Sequence, residues 1–327
     1  MRFYNIVITD SGGAVKRQYT SLNADGSFNG QALRVTLDIP QSNFAQPAGL
    51  AMVRIYGVAF TDLNSTADMV GMNVTISAGM SKGLPLANPK QQGLIARGYI
   101  FQAFGNWQGA EVSLDLIIAP AIGNATEEAN ITLDWKNGTP LTGAVTNALQ
   151  AAFPSIPVVG QFSDAVTAPQ DTPHLSSSMG DFAQKVNEFS NARAISADYL
   201  GANIAMQGDK FYLYDGTSTI AQPTVNINFT DLIGNATWIE YNVMQFKAVM
   251  RGDLSPGGIV TLPKGTNAIN SQNTFTQFRQ NLSFQNSFMV SMIRHLGDNR
   301  GRGADSWVTV VNCNLLNTPN ISESPLQ

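Results

Sequence analysis

Apolar and polar residues alternate with a period of two through most of residues 1–137. The clearest run is 32–40, and the others lie at 4–10, 50–60, 72–80, 93–104, 111–120 and 129–135. In the clearest run Leu33, Leu37 and their alternate neighbours are apolar, and Pro40 closes the run. A period of two places every second side chain on one face of a strand. The pattern therefore predicts a β domain over residues 1–137.

The period changes between residues 138 and 220. Two stretches have an apolar residue every third or fourth position, which predicts two helices, over about 141–153 and 177–191. Pro154 ends the first helix, and Ser177 or Ser178 is the expected N-cap of the second. The apolar positions are Leu141, Val145, Leu149 and Phe153 in the first helix and Met179, Phe182, Val186 and Phe189 in the second. We interpret this region as a small α/β insert.

Two further features complete the insert and the rest of the chain. Residues 202–216 predict a β-hairpin that turns at Gly208 and Asp209. Alternation returns over 221–316, which predicts a second β domain, and 317–327 has two prolines and no pattern. We expect that last segment to be a flexible tail, or one docked on a partner. The predicted fold class is mainly β (β+α), with two β domains that flank the α/β insert.

The ends of the two β blocks resemble each other in organisation. "GLIARGYIFQAFGNWQGAEVSLDLIIAP" (93–120) and "NSFMVSMIRHLGDNRGRGADSWVTVVNC" (286–313) both predict a strand, a Gly-rich loop and a second strand. "MNVTISAGMSKGLPLANP" (72–89) and "MQFKAVMRGDLSPGGIVTLP" (244–263) precede them and both predict a strand, a glycine turn and Leu-Pro. These matches suggest two copies of one fold, although hairpins in general look alike. A trimer of such a chain would form a pseudo-six-fold ring.

Composition changes this picture in one respect. Charged residues make up only 13% of the 327 residues, about half the usual share, so the surface is polar and nearly uncharged. Such a surface is typical of a protein covered by neighbouring subunits, whose interface cores are depleted in Lys and Glu. A neutral, secreted β protein fits the composition equally well.

Charge and cysteine content exclude several classes of function. The net charge of -4 and the lack of a basic tract disfavour a nucleic-acid-binding role. A single cysteine excludes an internal disulfide and a site of several thiolates. We expect no signal peptide, because the apolar start is short and interrupted by Asn5, and no membrane span, because no apolar run approaches about 20 residues. Synthesis in a cytoplasm follows from these expectations.

Residues 291–313 hold the densest set of chemically capable side chains. His295 and Cys313 could form a base and a nucleophile, and His295, Asp298 and Asp305 with His174 could bind a metal. We favour neither: Cys313 follows a valine run that is typical of a buried strand, His174 is predicted to lie in a distant loop, and no closely spaced ligand pair occurs. No cofactor is expected. The arginines Arg294, Arg300 and Arg302 could bind phosphate, or could pair with Asp298, Asp305 or a neighbouring subunit.

Three other candidates lie elsewhere. Glu127 and Glu128 could be paired carboxylates, but adjacent residues of a strand face opposite ways. The sequence Arg-Gly-Asp at 251–253 has the form of an adhesion motif at a predicted turn. The tryptophans at 107, 135 and 238 could provide stacking surfaces for sugars.

Residues 225–313 resemble the C-terminal part of baseplate hub proteins of tailed, contractile bacteriophages. In that family a glycine turn is followed by a segment ending in Leu-Pro, and later a strand ends in His before a Gly-Asp loop, Trp-x-Thr and a closing strand. The matching segments here are Arg251-Gly252-Asp253, Ile259-Val260-Thr261-Leu262-Pro263, His295-Leu296-Gly297-Asp298 and Trp307-Val308-Thr309. The first two thirds of the chain match only in organisation, and no lysozyme-like or peptidase segment is present.

The resemblance implies a structural, non-enzymatic hub with two tail-tube-like β-barrel or sandwich domains. It implies a homotrimer with a pseudo-six-fold face, the tail tube protein above, the central spike below and other baseplate proteins around it. DNA would pass through a neutral lumen without specific binding, and the protein would be assembled in the cytoplasm of the bacterial host into the virion tail baseplate. The residues expected to have an interaction or structural role are Arg294, His295, Asp298, Arg300, Arg302 and Trp307. The alternatives are a tail tube subunit and a receptor-binding or carbohydrate-binding β protein.

Overall fold

Seven strands and two short helices form the N-terminal part of the chain. The computed structural model describes residues 1–45, 49–81, 88–120, 130–193, 195, 199, 201–207, 210–217, 224–240, 243–263 and 287–316. The strands are β1 (Arg2–Thr9), β2 (Val15–Thr20), β3 (Arg34–Ser42), β4 (Ala51–Tyr56), β5 (Asn73–Met80), β6 (Gly93–Gln108) and β7 (Glu111–Pro120). The helices are α1 (Phe60–Asn64) and α2 (Thr66–Met69). The predicted strand over 50–60 is shorter than expected, because Gly57 turns the chain with a φ of 76° that favours glycine.

The middle of the chain contains two helices and five strands, and we keep the name insert for this region. Its elements are β8 (Ile131–Trp135), α3 (Leu141–Ala152), β9 (Val158–Gly160), β10 (Thr172–Ser176), α4 (Met179–Asn191), β11 (Asn203–Gln207) and β12 (Lys210–Tyr214). Both helices are confirmed, and the Ser178 hydroxyl caps α4 by accepting a hydrogen bond from the backbone N–H of Asp181. The hairpin β11–β12 is confirmed as well, while its predicted turn at 208–209 lies outside the described residues.

One strand belongs to a different part of the fold than its pattern suggested. The sequence assigns β8 to the first β block, but β8 pairs with β10 in a separate two-stranded sheet. Its inward side chains Ile131, Leu133 and Trp135 pack with α3 and α4 in the hydrophobic cluster of the insert. Alternation shows that a strand has one buried face but does not show which core that face meets, and this is why the assignment was wrong.

The described residues of the C-terminal part of the chain form six strands. They are β13 (Val225–Asn226), β14 (Thr237–Trp238), β15 (Val243–Val249), β16 (Ile259–Thr261), β17 (Ser287–Asp298) and β18 (Trp307–Leu315). The predicted tail, 317–327, lies outside the described residues. The prediction of a mainly β fold is confirmed.

A single sheet joins the N-terminal and C-terminal strands. Its order is β14-β15-β18-β17-β3-β4-β7-β6-β5-β1-β2, with β16 paired to the start of β17 and β13 paired to β16. Separate hydrophobic clusters lie in the N-terminal strands, the insert and the C-terminal strands. The sheet crosses from the N-terminal to the C-terminal strands where residues 36–42 of β3 pair antiparallel with residues 292–298 of β17. We call this pairing the β3–β17 junction.

The same five-stranded topology occurs on both sides of this junction. The first unit has the spatial order β3-β4-β7-β6-β5 and the second has β14-β15-β18-β17-β16, with every neighbouring pair antiparallel. Chain order is also the same, since β3 to β7 are consecutive strands and so are β14 to β18. The predicted repeat is therefore present in the topology. One part of the sequence alignment was wrong: β5 corresponds to β16, not to β15, and β15 corresponds to β4.

A local irregularity supports this correspondence. In β6 the pairing with β7 shifts register at Phe101, and in β17 the pairing with β18 shifts at Ser291. Both extra residues lie seven positions before the last residue of their strand. Such bulges bend and twist a strand, so β6 and β17 are expected to bend at the same position.

Candidate functional site

The six residues selected from the sequence all lie at or beside the β3–β17 junction. Arg294, His295 and Asp298 are on β17, Arg300 and Arg302 are in the loop after it, and Trp307 begins β18. This region joins the first unit to the second. The candidate functional site is therefore a contact between two β units rather than a pocket.

Two ion pairs cross the junction diagonally. Arg294 donates to Asp38 through Nε (2.7 Å) and Nη2 (2.5 Å), and Arg34 donates to Asp298 through Nη2 (2.8 Å). The hydrogen bonds that Arg294 donates to the Asp38 carboxylate raise the pKa of Arg294. Partial burial acts to raise the pKa of Asp298, but hydrogen bonds from Arg34 and from the backbone N–H of Arg300 outweigh it and the pKa is lowered. Both pairs are partly exposed, so each contributes about 0–1 kcal/mol, and their main effect is to fix register.

The loop after β17 is attached to the first unit by the side chains of Asn299 and Arg300. Asn299 accepts a hydrogen bond from the backbone N–H of Val35 (2.8 Å) and donates to the Leu33 carbonyl (3.2 Å). Arg300 donates to the Ala32 carbonyl at 2.6 Å. Arg302 is exposed and makes no hydrogen bond or ion pair with any residue that the structure describes. Arg300 therefore makes a structural contact with the first unit, whereas Arg302 is exposed to solvent.

Trp307 anchors the second unit in the core of the first. Its side chain is buried in the hydrophobic cluster of the N-terminal strands, together with Met250. The indole Nε1 donates to the Gly79 carbonyl at 2.9 Å, which satisfies the one polar group of the ring. Gly297, the cross-strand partner of Trp307, leaves the space that the indole occupies, since a Cβ there would lie 2.5 Å from the ring.

His295 and Cys313 do not form a catalytic pair. His295 is opposite Thr309, whose Oγ1 lies 3.0 Å from Nδ1, whereas Cys313 is opposite Val290. Both side chains are fully buried, and burial lowers the pKa of His295 to about 3 and raises the pKa of Cys313. A base needs access to a substrate proton, and a nucleophile needs the thiolate. Neither condition is met here.

The proposed metal ligands are not brought together. His174 lies in strand β10 of the insert, not in a loop as predicted, and its ring packs edge-on against Phe189. His295 lies in the sheet core. Among the residues that the structure describes, no group of three or more His, Cys, Asp and Glu side chains is placed to hold one metal ion.

A buried charge cluster lies near the junction, and its importance was not predicted from the sequence. The Arg251 side chain is only 2% exposed and forms two hydrogen bonds of 2.7 Å to Asp253. Its Nη1 lies 3.3 Å from buried Asp231, which also accepts from Gln91 of the first unit. The Arg-Gly-Asp sequence is therefore a structural ion pair and not an exposed adhesion motif. The signal that could have found it is the short spacing, since Arg251 and Asp253 lie two positions apart in the turn after β15 and their side chains can reach each other.

Two glycines allow the backbones to meet beside this cluster. A Cβ on Gly252 would lie 2.6 Å from Gly93 backbone atoms, and a Cβ on Gly93 would meet Gly252 in the same way. The Gly252 N–H donates to the Gln91 carbonyl at 2.8 Å. The two units therefore touch through main chain, ions and the Trp307 indole as well as through the paired strands.

The other sequence candidates divide into core and surface residues. Trp135 and Trp238 are buried, so as stacking surfaces they were wrong predictions. Trp107 is 67% exposed and packs edge-on against Phe60, with ring centroids 5.1 Å apart. Glu127 and Glu128 lie outside the described residues. No described helix has the length and apolar character needed to cross a membrane.

The fold and the site define a class of architecture: a mainly β chain with a duplicated five-stranded unit, joined edge to edge within one sheet. No protein-family model matches the sequence, and no curated protein matches it. Among solved structures, the chain is similar to the 43 kDa tail protein of prophage MuSo2 from Shewanella oneidensis, with a TM-score of 0.51, 8% identity and 97% of each chain covered. It is also similar to the tail protein from Neisseria meningitidis MC58, with a TM-score of 0.47, 11% identity and 96% of each chain covered. The similarity to the MuSo2 protein shows that the two proteins share a fold over nearly their whole length.

Proposed function

We propose that this chain is a structural protein of a bacteriophage tail and forms the hub of the tail baseplate. The observation that carries the proposal is the duplicated unit. A chain with two copies of one unit presents six copies when three chains assemble, which suits a position between six-fold and three-fold parts. The fold shared with a prophage tail protein supports the tail assignment.

The partners follow from this position. The pseudo-six-fold face would meet the tail tube above, the three-fold side would hold the central spike below, and other baseplate proteins would surround the ring. The low charge suits a lumen through which DNA passes without binding, because Lys and Arg contacts to phosphate are what retain DNA. The sequence resemblance of residues 225–313 to hub proteins supports the baseplate over other parts of the tail. The protein would be assembled in the bacterial cytoplasm and carried in the virion.

A scaffold role agrees with how the chemically capable residues are used. The histidine and cysteine of the 291–313 region are buried in the sheet, and Arg294, Asp298 and Arg300 hold the two units together. A tail tube subunit is the nearest rival, since it would share the unit. A tube subunit needs one copy, and the second copy favours the hub.

Mass measurement tests the proposed assembly. Light scattering on the purified full chain is expected to give about three times the 35.1 kDa of one chain, and negative-stain microscopy is expected to show rings. A strict monomer at tens of micromolar with no rings would contradict the hub proposal.

A receptor-binding or carbohydrate-binding role is the second candidate, and the exposed Trp107 favours it. Exposed aromatic rings stack on sugars, and Phe60 fixes this ring from one side. Glycan-array binding that disappears in Trp107→Ala would support this role. Absence of any hit for a folded protein would dismiss it.

A further inference from the structure

Among the described residues, the edge of β6 in the first unit has no partner equivalent to the one that the corresponding edge of β17 has in the second. Residues 292–298 of β17 pair with β18 on one side and with β3 on the other. Residues 102–108 of β6 pair with β7 only, within the part of the chain that the structure describes. β6 and β17 are equivalent strands of the repeat, so one copy of the edge is covered inside the chain and the other copy is open.

The open edge is apolar for an exposed strand. Phe101 and Phe104 are each 47% exposed and Trp107 is 67% exposed, and the intervening Gln102, Gly105 and Gln108 are exposed too. A long edge with unpaired backbone groups and large apolar side chains favours pairing with another strand. It carries none of the lysine or proline residues that block such pairing.

The strand equivalent to β3 also lies at an edge. β14 ends the sheet, and residues 232–240 around it contact β15 on one side through the β14 ladder, a bridge from Leu232 to Ala248 and a hydrogen bond from the Ile239 N–H to the Val243 carbonyl. Its other side has no strand partner among the described residues. In the part of the chain that the structure describes, the β6 edge, equivalent to that of β17, and the β14 edge, equivalent to that of β3, are therefore both open.

We propose that β6 of one chain pairs antiparallel with β14 of a second copy, repeating between chains the junction that β17 and β3 form within one. The inference rests on the proposed oligomeric hub and specifies the surface that builds it. The contact joins unlike edges, so it is head-to-tail and can close into a ring. The occupant is a second copy of this chain because the internal junction already shows which strand fits such an edge.

The repeat fixes the register of this contact. After the register shifts, Gln102 of β6 pairs with Ile117, and Met292 of β17 pairs with Asn312. Across the next strands, Ile117 pairs with Met52 and Met52 with Asp38, while Asn312 pairs with Gln245 and Gln245 with Thr237. Met292 therefore corresponds to Gln102, and Asp38 corresponds to Thr237. Inside the chain Leu296 lies opposite Asp38. The equivalent pair between chains is Asn106 opposite Thr237.

Side-chain sizes agree with this register. It places exposed Trp107 opposite the small Ala236, and Gly105 opposite the buried Trp238. Large residues opposite small ones allow close packing across a strand pair. Phe104 falls opposite Ile239, so an apolar pair is formed at the position of the internal pair Arg294–Pro40.

Cysteine cross-linking tests the contact directly. Opposite residues of an antiparallel pair have Cα atoms about 4.5–5.5 Å apart, within the range that a disulfide spans. The variant Asn106→Cys/Thr237→Cys is expected to give covalent two-chain and three-chain species after mild oxidation. The single native Cys313 is buried and does not contribute. Mixing the two single variants is expected to give two-chain species only, and either single variant alone none.

The internal junction supplies a matched control. Leu296→Cys/Asp38→Cys places a disulfide at the equivalent pair, and it is expected to close within one chain without change of mass on a non-reducing gel. If this control closes and light scattering shows an oligomer, but the Asn106/Thr237 variant gives no multi-chain species, the contact is wrong and the hub proposal stands. Cross-linking by Asn106→Cys alone would show a two-fold contact and also overturn it. A strict monomer would overturn both proposals.

Discussion

At the scale of single residues, the two kinds of ion pair in this protein have different expected energies. Arg251 and Asp231 are buried, with Asp253 partly exposed beside them, whereas Arg294 and Asp38 are both partly exposed. Removing one partner of a buried pair leaves an uncompensated charge in the interior, while an exposed pair is replaced by water. The buried cluster is therefore the point where the contact between the units is most sensitive to substitution.

Substitution of Arg251 tests this difference. Arg251→Met is expected to lower the free energy of unfolding by about 3–5 kcal/mol, because Asp231 then remains buried without its cation. Arg294→Met is the matched control on the exposed pair and is expected to cost about 0–1 kcal/mol. Urea unfolding followed by tryptophan fluorescence measures both. Similar losses in the two variants would show that burial does not decide the contribution.

His295 is expected to make stability depend on pH. Burial lowers its pKa to about 3, against about 6.5 in an unfolded chain. Between these values the unfolded chain binds a proton that the folded chain does not, so this group's contribution is constant above pH about 6.5 and is lost as pH falls toward about 3. The loss is up to ~1.4 kcal/mol per pH unit.

The comparison that isolates this effect is the native chain against His295→Gln. Unfolding free energies at pH about 7, 6 and 5 should converge as pH falls, because only the native chain carries the buried imidazole. Parallel curves for the two proteins would mean that His295 is not the titrating group.

At the scale of elements, replacing glycine by alanine is expected to change stability in opposite directions at two positions. Gly252 meets the Gly93 backbone, so Gly252→Ala is expected to separate the two units locally and to destabilise the protein by about 1–3 kcal/mol, as overpacking does. Gly143 lies in helix α3 with no atom near its missing Cβ, so Gly143→Ala is expected to stabilise by about 0.5–1 kcal/mol. Thermal unfolding of the two variants should shift in opposite directions. A gain in stability for Gly252→Ala would contradict the close approach of the backbones.

Elements that bury one regular face could be predicted from the sequence, and those that depend on distant partners could not. Helix α4 and its Ser178 cap have a local signature, and so does the alternation of β3. Strand β14 has only two residues in its ladder and no period to detect. For Arg294 the sequence suggested Asp298 or Asp305, but the partner is Asp38, 256 positions away. That pairing depends on which strand edges meet, and a single sequence does not encode this in any local pattern.

At the scale of the whole molecule, the two versions of the junction should respond differently to salt. The internal junction has two ion pairs, whereas the proposed contact between chains places Phe104 at the position of Arg294 and Gln108 at the position of Asp298. Salt screens exposed charges and leaves apolar contacts intact or strengthens them. The assembly is therefore expected to keep its mass from about 0.1 M to about 1 M sodium chloride.

A charge placed on the open β6 edge should separate the chains where salt does not. Trp107 is 67% exposed in the single chain, so Trp107→Lys is compatible with folding, but the proposed register places this residue opposite buried Ala236, where an ammonium would be unpaired. Sedimentation velocity is expected to show this variant as a monomer at concentrations where the native chain forms the proposed trimer. Leu175→Lys, at a 63% exposed position on β10 of the insert, is the matched control and should sediment like the native chain. A trimer that survives Trp107→Lys, or one that dissociates in salt alone, would place the contact between chains on another surface than β6.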